Sequence, residues 1–205
     1  MLIPRPIADS YRCAIKDRCR YQIHGVHFKT DLQTETVEAI ATDGKTLIRS
    51  TFPLETTEDI ETDLEITVGS QDMKKAIKIS DGEPIGISVD EDKTVEQTPE
   101  GLPDVRFAQY TLRPGLNGSR VTGEGQGMFP DYKAVMPTTT PQFTWHLNPY
   151  VLKELCSALI KTAGLTRENS TVLFEYHQPD RPMVMSVRNS AGGETQALIM
   201  PLVLS

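Results

Sequence analysis

The chain has 205 residues, 38% hydrophobic and 24% charged, with a formal net charge of −7. That length can bury one substantial core, or one core plus a smaller lobe. No run approaches the ~20 apolar residues of a membrane span, the N-terminus lacks the apolar core and cleavage site of a signal peptide, and the acidic balance argues against a simple basic nucleic-acid-binding domain.

Residues 11–15 and 21–30 read as strands separated by the charged turn Lys16-Asp17-Arg18. In the second, Ile23 falls on one face and Val26 and Phe28 on the other, with Gly25 between them as a candidate bulge. His24 and His27 are three apart, so on a regular strand they point to opposite faces and cannot share a metal. Cys13, Cys19 and Cys156 are too few and too oddly spaced for a disulfide framework or a zinc site, and read as reduced thiols of a cytoplasmic protein. Residues 36–42 and 45–52 are rich in Val, Ile, Leu and Thr. They flank Asp43-Gly44, the dipeptide a two-residue hairpin turn prefers because it tolerates φ > 0. Residues 55–65 are acidic but lack the Asp-x-Asp-x-Asp-Gly pattern of a calcium loop, so they read as a solvated linker.

A short strand at 64–68 leads into a helix with Ser70 as N-cap, Asp72 at the positive end of the dipole and Gly82 just past its end. Met73, Ala76, Ile77 and Ile79 form its apolar stripe, and Lys74, Lys75 and Lys78 lie off it as a compact basic face. Such a cluster is, on its own, an ordinary solvated face. Strands follow at 85–89, 94–97 and 106–112, interrupted by the acidic turn Asp90-Glu91-Asp92 and a Pro- and Gly-rich loop at 98–104. Residues 114–127 read as a long loop. Its glycines at 123, 125 and 127 open no helix that could offer amides and a dipole to a phosphate, so a nucleotide cradle is not expected. Phe129-Pro130-Asp131-Tyr132 reads as an anchored crossover, with two aromatics to bury and a proline to fix the path.

Beyond a connector at 138–141, residues 143–147 read as a strand carrying the only tryptophan, Trp145. The next helix has Asn148 as N-cap, Pro149 in its first position and Gly164 after its last turn. Leu152, Leu155, Cys156, Leu159 and Ala163 form its buried stripe, and Lys153 and Lys161 lie off it. Strands at 171–176, 183–188 and 196–204 complete the chain, the last two joined by a turn at 189–193. Residues 64–112 and 143–204 therefore share one plan of strand, helix, then strands. A unit of that kind buries one face of a curved antiparallel sheet under a helix and leaves the helix's other side exposed. The expected class is α+β, with antiparallel sheets each backed by a helix.

Three segments, in order, carry a resemblance: ATDGKTL at 41–47, FPDYKAVMP at 129–137 and ALIMPLVL at 197–204. They are similar to the hairpin, crossover and tail of bacterial sliding clamps, the β subunits of replicative DNA polymerase. The resemblance implies a DNA-clamp-like fold built of repeated half-domains. Residues 1–137 would be a clamp-like domain with its first helix missing or reduced, similar to the middle domain of the family, and 138–205 a clamp-like half-domain. The family's chain has three full domains, and this one has room for about one and a half.

In that family a homo-oligomeric ring encircles duplex DNA without sequence preference, its helices lining the hole. A net acidic chain can do this if its inner face is locally basic, because charge is screened beyond ~8–10 Å. By position Lys78 matches a basic site of the family's helix, while Ser70 and Gln71 replace a basic pair. Lys74, Lys75, Lys153 and Lys161 are DNA-facing candidates from helix geometry only. The resemblance further implies an apolar groove for short linear peptides of polymerases and repair proteins, carried here by Ile23, Thr42, Gly44, Leu47, Pro130, Met200, Pro201 and Leu202. Lys45-Thr46 stands where the family has His-Arg, and Val203 where an Arg is common, so the partner motif would differ. The other reading of these residues is strand-end core. The expected function is a cytoplasmic DNA-replication processivity factor; the alternative is a clamp-fold adaptor that binds peptides without encircling DNA. No Ser/His/Asp arrangement, metal spacing or helix-opening Gly loop points to an enzyme, and no cofactor is implied.

Overall fold

Each helix is followed by a meander of antiparallel strands, and this plan recurs along the chain. The computed structural model describes residues 1–14, 23–55, 63–90, 108–115, 118–125, 129–141, 144–166, 171–177, 181–188 and 193–201. The chain forms two compact units, Met1–Met136 and Pro137–Ser205.

In the first unit, β1 (Leu2–Ile3) leads into α1 (Arg5–Ala8), which a 3-10 helix at Asp9–Cys13 continues. The meander β2 (Gly25–Asp31), β3 (Thr36–Thr42) and β4 (Leu47–Pro53) follows. The plan then repeats as β5 (Glu65–Gly69), α2 (Ser70–Ser80), β6 (Ile85–Asp90), β7 (Ala108–Pro114) and β8 (Val121–Gly125). The leading strand of each copy joins the other copy's meander: β5 pairs antiparallel with β2, and β1 with β6. The result is two four-stranded sheets, β4-β3-β2-β5 and β1-β6-β7-β8. Each leading strand covers an edge that would otherwise present unpaired backbone groups. One core joins the sheets: Val26, Phe28, Val37 and Ala39 from the first, Ile85, Ile87, Tyr110 and Leu112 from the second, with Met73 and Ala76 of α2 and Ile3 and Ala8 of the N-terminal copy.

Several expectations change. Residues 11–13 are helical rather than extended, because the Ser10 hydroxyl donates to the Ile7 carbonyl and Asp9 bridges Arg5 and Arg12, which closes successive turns. Where the first helix is expected to be missing or reduced, the chain has the short α1 and the 3-10 turn that continues it. Ser70 is the first helical residue rather than the cap; its amide and hydroxyl both donate to the His24 carbonyl, which ties the start of α2 to β2. Gly25 makes no bulge. It pairs in register with Gly69, and a Cβ there would lie 2.2 Å from the Val68 carbonyl oxygen, so only glycine allows this approach. The expected loop at 114–127 contains β8, paired along its length with β7. Gly123 of that strand leaves room for the Tyr110 hydroxyl, which accepts from the Gly69 amide at 3.0 Å and donates to Asp72 Oδ2 at 2.9 Å. The expected strand at 94–97 and loop at 98–104, most of the acidic linker, and most of the 189–193 turn lie outside the described residues.

The second unit holds α3 (Pro149–Thr162) and the strands β9 (Leu173–Glu175), β10 (Met183–Arg188) and β11 (Glu194–Ile199), in the sheet order β11-β10-β9. Asn148 caps α3 as expected, its Oδ1 accepting from the amides of Tyr150 at 2.9 Å and Val151 at 3.4 Å. Leu159 and Ala163, with Leu152, Leu155 and Cys156, pack on Met185, Val187 and Ala197 of the sheet. Residues 144–147, expected as a strand, form no regular secondary structure. Among the described residues no helix is long and apolar enough to cross a membrane.

Candidate functional site

Strand alternation sets up the first part of the site. On one face of the first sheet, Glu38, Ile40 and Thr42 of β3 line up with Leu47 and Arg49 of β4, through the pairs Thr42↔Leu47 and Ile40↔Arg49. His27 of β2 lies opposite Ile40 on that face. The hairpin linking β3 and β4 is a four-residue loop, 43–46, rather than the expected two-residue turn. Side chains explain the longer loop. Asp43 Oδ1 accepts from the Lys45 amide at 2.9 Å, the Thr46 amide at 2.7 Å and the Thr46 hydroxyl at 2.9 Å. Thr42 Oγ1 donates to the Thr46 carbonyl and accepts from the Gly44 amide, and Gly44 takes φ +85° at the tip. Donation from the Thr46 and Lys45 amides holds the Asp43 carboxyl below its ordinary pKa.

The crossover segment lies over this face. Phe129 stacks on His27, with centroids 4.5 Å apart and planes 12° apart, and meets Tyr132 edge-on at 6.5 Å. Asp131 caps a 3-10 helix at Tyr132–Val135 by accepting from the Lys133 amide. The Tyr132 hydroxyl donates to Glu38, which also accepts from the Arg49 guanidinium. Burial alone would raise the Glu38 pKa, but the Tyr132 and Arg49 hydrogen bonds outweigh it and hold the carboxyl low. Burial and the same hydrogen bond push Tyr132 up to about 12. His27 is buried with Nδ1 3.1 Å from Thr67 Oγ1 and Nε2 3.3 Å from Glu65 Oε1. Its desolvation outweighs the Glu65 carboxylate and lowers its pKa, so the ring is neutral near pH 7.

Ile23, Ile40, Phe129 and Tyr132 form one buried cluster with Leu47 half-buried against it. The structure thus brings Ile23, Leu47 and Thr42 together with the segment carrying Pro130, while Gly44 sits exposed at the hairpin tip. Ile23 lies mostly buried in this cluster, 9% exposed. Met200 is 61% exposed and Pro201 half-buried, both just past β11 in the second unit; Leu202 lies outside the described residues. Sequence reasoning missed Glu38 and Arg49, which strand alternation from Ile40 would have found, and Val135, which is 73% exposed within the crossover motif itself.

Lys74, Lys75 and Lys78 are exposed on α2, away from the buried Met73 and Ala76. Asp72 accepts from Lys75 at 3.1 Å and partly offsets that face. On α3, Lys153 and Lys161 are exposed beside Tyr150 and Ser157, opposite the buried Leu159. Among the described residues no group of three or more His, Cys, Asp or Glu could hold a metal ion.

No protein-family model and no curated protein matches this sequence. Solved structures of bacterial sliding clamps do match its fold. The DNA polymerase III β chain of Streptococcus pneumoniae superposes with a TM-score of 0.67 at 18% identity, covering 98% of this chain and 48% of the clamp. The sliding clamp of Pseudomonas aeruginosa bound to griselimycin gives 0.70 at 14% identity, covering 98% and 49%. That of Bacillus subtilis gives 0.63 at 14%, covering 98% and 48%. The chain has the sliding-clamp fold and spans about half the length of these clamps.

Proposed function

We propose that this protein is a sliding-clamp-like processivity factor, acting without catalysis as a homo-oligomer that surrounds duplex DNA. The observation that carries the reading is the clamp fold, which extends over 98% of the chain rather than one motif. The outward lysines of α2 and α3 support it. They are charged groups on rigid helices whose opposite sides are buried, a placement suited to weak phosphate contacts without base readout. Residues 1–137 act as a clamp domain and 138–205 as a half-domain. The hairpin and crossover around Leu47 and Pro130 receive short peptides of polymerase or repair partners.

Retention on nicked circular DNA, compared with the same DNA linearised, tests the ring. The protein should stay on the circle and run off the linear ends; equal retention on both would overturn the reading. A second reading, a peptide-binding adaptor that does not encircle DNA, is favoured by the Asp72–Lys75 pair, which weakens the basic face of α2. Binding of a clamp-type peptide with retention on neither DNA would select it.

A further inference from the structure

Within the first unit, the strand leading into a helix never joins the meander that follows that helix. β5 ends at Gly69, directly before α2, and lies on β2; β1 runs to Ile3, just before α1, and lies on β6. The second unit has the same helix and meander, with β9 in the place of β2 and β6. Among the described residues, nothing pairs with the side of β9 away from β10. Phe174 lies opposite Met185 and therefore shares the side of the sheet that faces α3, yet it is 53% exposed. Ile85 and Ile87, which pack with α2 from β6, are 0% and 4% exposed. That side of β6 is closed by the core that the two copies share, to which the leading strand contributes Ile3, whereas the second unit holds no second copy to close that side of β9.

The segment that leads into α3 has strand character but no sheet. Residues 144–147, Thr-Trp-His-Leu, alternate polar and apolar as a half-buried strand does. The edges of β2 and β6 are already taken by β5 and β1. Trp145 instead folds back on Tyr176, with ring centroids 4.5 Å apart, and its indole N–H is buried with no hydrogen-bond partner among the described residues. An unpaired buried donor of that kind costs about 1–3 kcal/mol, so the segment gives up little by leaving this position.

We propose that two copies of this chain associate through their second units by exchanging this segment, residues 144–147 of each adding antiparallel to the open edge of β9 in the other. The contact is two-fold and self-complementary. It repeats between chains the pairing that β1 with β6, and β5 with β2, make within one chain, and it covers Leu173 and Phe174. It deepens the homo-oligomeric part of the function proposed above and rests on that part alone.

The test uses the full chain in a dilution series, following mass by light scattering and the emission of Trp145, the only tryptophan. Phe174→Asp is the variant of interest. Val135→Asp, at a still more exposed apolar residue of the first unit, is the control, and circular dichroism confirms that both are folded. The wild type should pass from one chain mass to two as concentration rises, its emission shifting to the blue in step. Phe174→Asp should raise the dissociation constant about tenfold or more, and Val135→Asp should leave it unchanged. Association that ignores Phe174→Asp, or that leaves Trp145 emission unmoved, would overturn the exchange while the oligomeric clamp reading stands. A wild type that is monomeric at every concentration would overturn both.

Discussion

In the first unit the edge of β2 is covered by β5 and that of β6 by β1, whereas among the described residues β9 in the second unit meets only β10. The helices and meanders follow one plan, and each of α2 and α3 turns an apolar stripe to its sheet. What separates the two units is reciprocity. Two copies of the repeat lie side by side in the first and complete each other, so its core is sealed by strands from both. The second holds one copy, and Leu173 and Phe174 of β9 are each more than half exposed. A half-repeat can therefore fold its helix onto its sheet and still leave an edge that asks for a partner.

The largest effect separates the units by their phenylalanines. Phe28→Ala, in the sealed core, should cost about 3–5 kcal/mol in the unfolding of the first unit, measured by urea denaturation. Phe174→Ala should leave the unfolding of dilute, unassociated chain within about 0.5 kcal/mol of wild type, because that ring is not yet buried. Similar costs at both positions would remove the distinction. Next, Gly25→Ala forces a Cβ against the Val68 carbonyl where β2 and β5 approach, and should cost about 3 kcal/mol. An unchanged midpoint would mean that the two strands do not meet at that spacing. Asn148→Ala removes the cap of α3 and should cost about 1 kcal/mol, read as a loss in the unfolding of the second unit; an unchanged midpoint would mean that the Asn148 side chain does not hold the first turn.

The mildest effect is one of pH. His27 has its folded pKa lowered, chiefly by burial, so the unfolded chain takes up its proton first as pH falls. The first unit should hold its stability above about pH 6.5 and lose it progressively below, in the direction of the folded pKa. His27→Gln should flatten that part of the profile. A slope of opposite sign, or one unaffected by the substitution, would show that the ring stacked on Phe129 is not held neutral.

The elements that local chemistry determines were readable from the residues. Asn148, Pro149 and Gly164 bracket α3 because caps act within a single turn, and the Met73–Ala76 stripe marks α2 by its period. Features that depend on distant neighbours were not. β8 contains two glycines in five residues and looks like a loop until the Tyr110 hydroxyl and Asp72 are seen to need the space at Gly123. Residues 144–147 carry a strand pattern and fail to form one, because a strand requires an adjacent edge as well as an alternating sequence. Part of the site was visible in the same uneven way. Leu47 and Pro130 stand in motifs, whereas the Tyr132–Glu38–Arg49 link that fastens the crossover to the sheet joins residues far apart in sequence.

Hydrogen exchange at the backbone amides of β9, followed from high to low protein concentration, measures the proposed difference between the units most directly. Protection in β9 should approach that of β2 and β6 when chains are concentrated and fall away on dilution, while β2 and β6 stay protected throughout. Amides of β9 that exchange at one rate over the whole range, slow or fast, would contradict the completion of this sheet by a second copy.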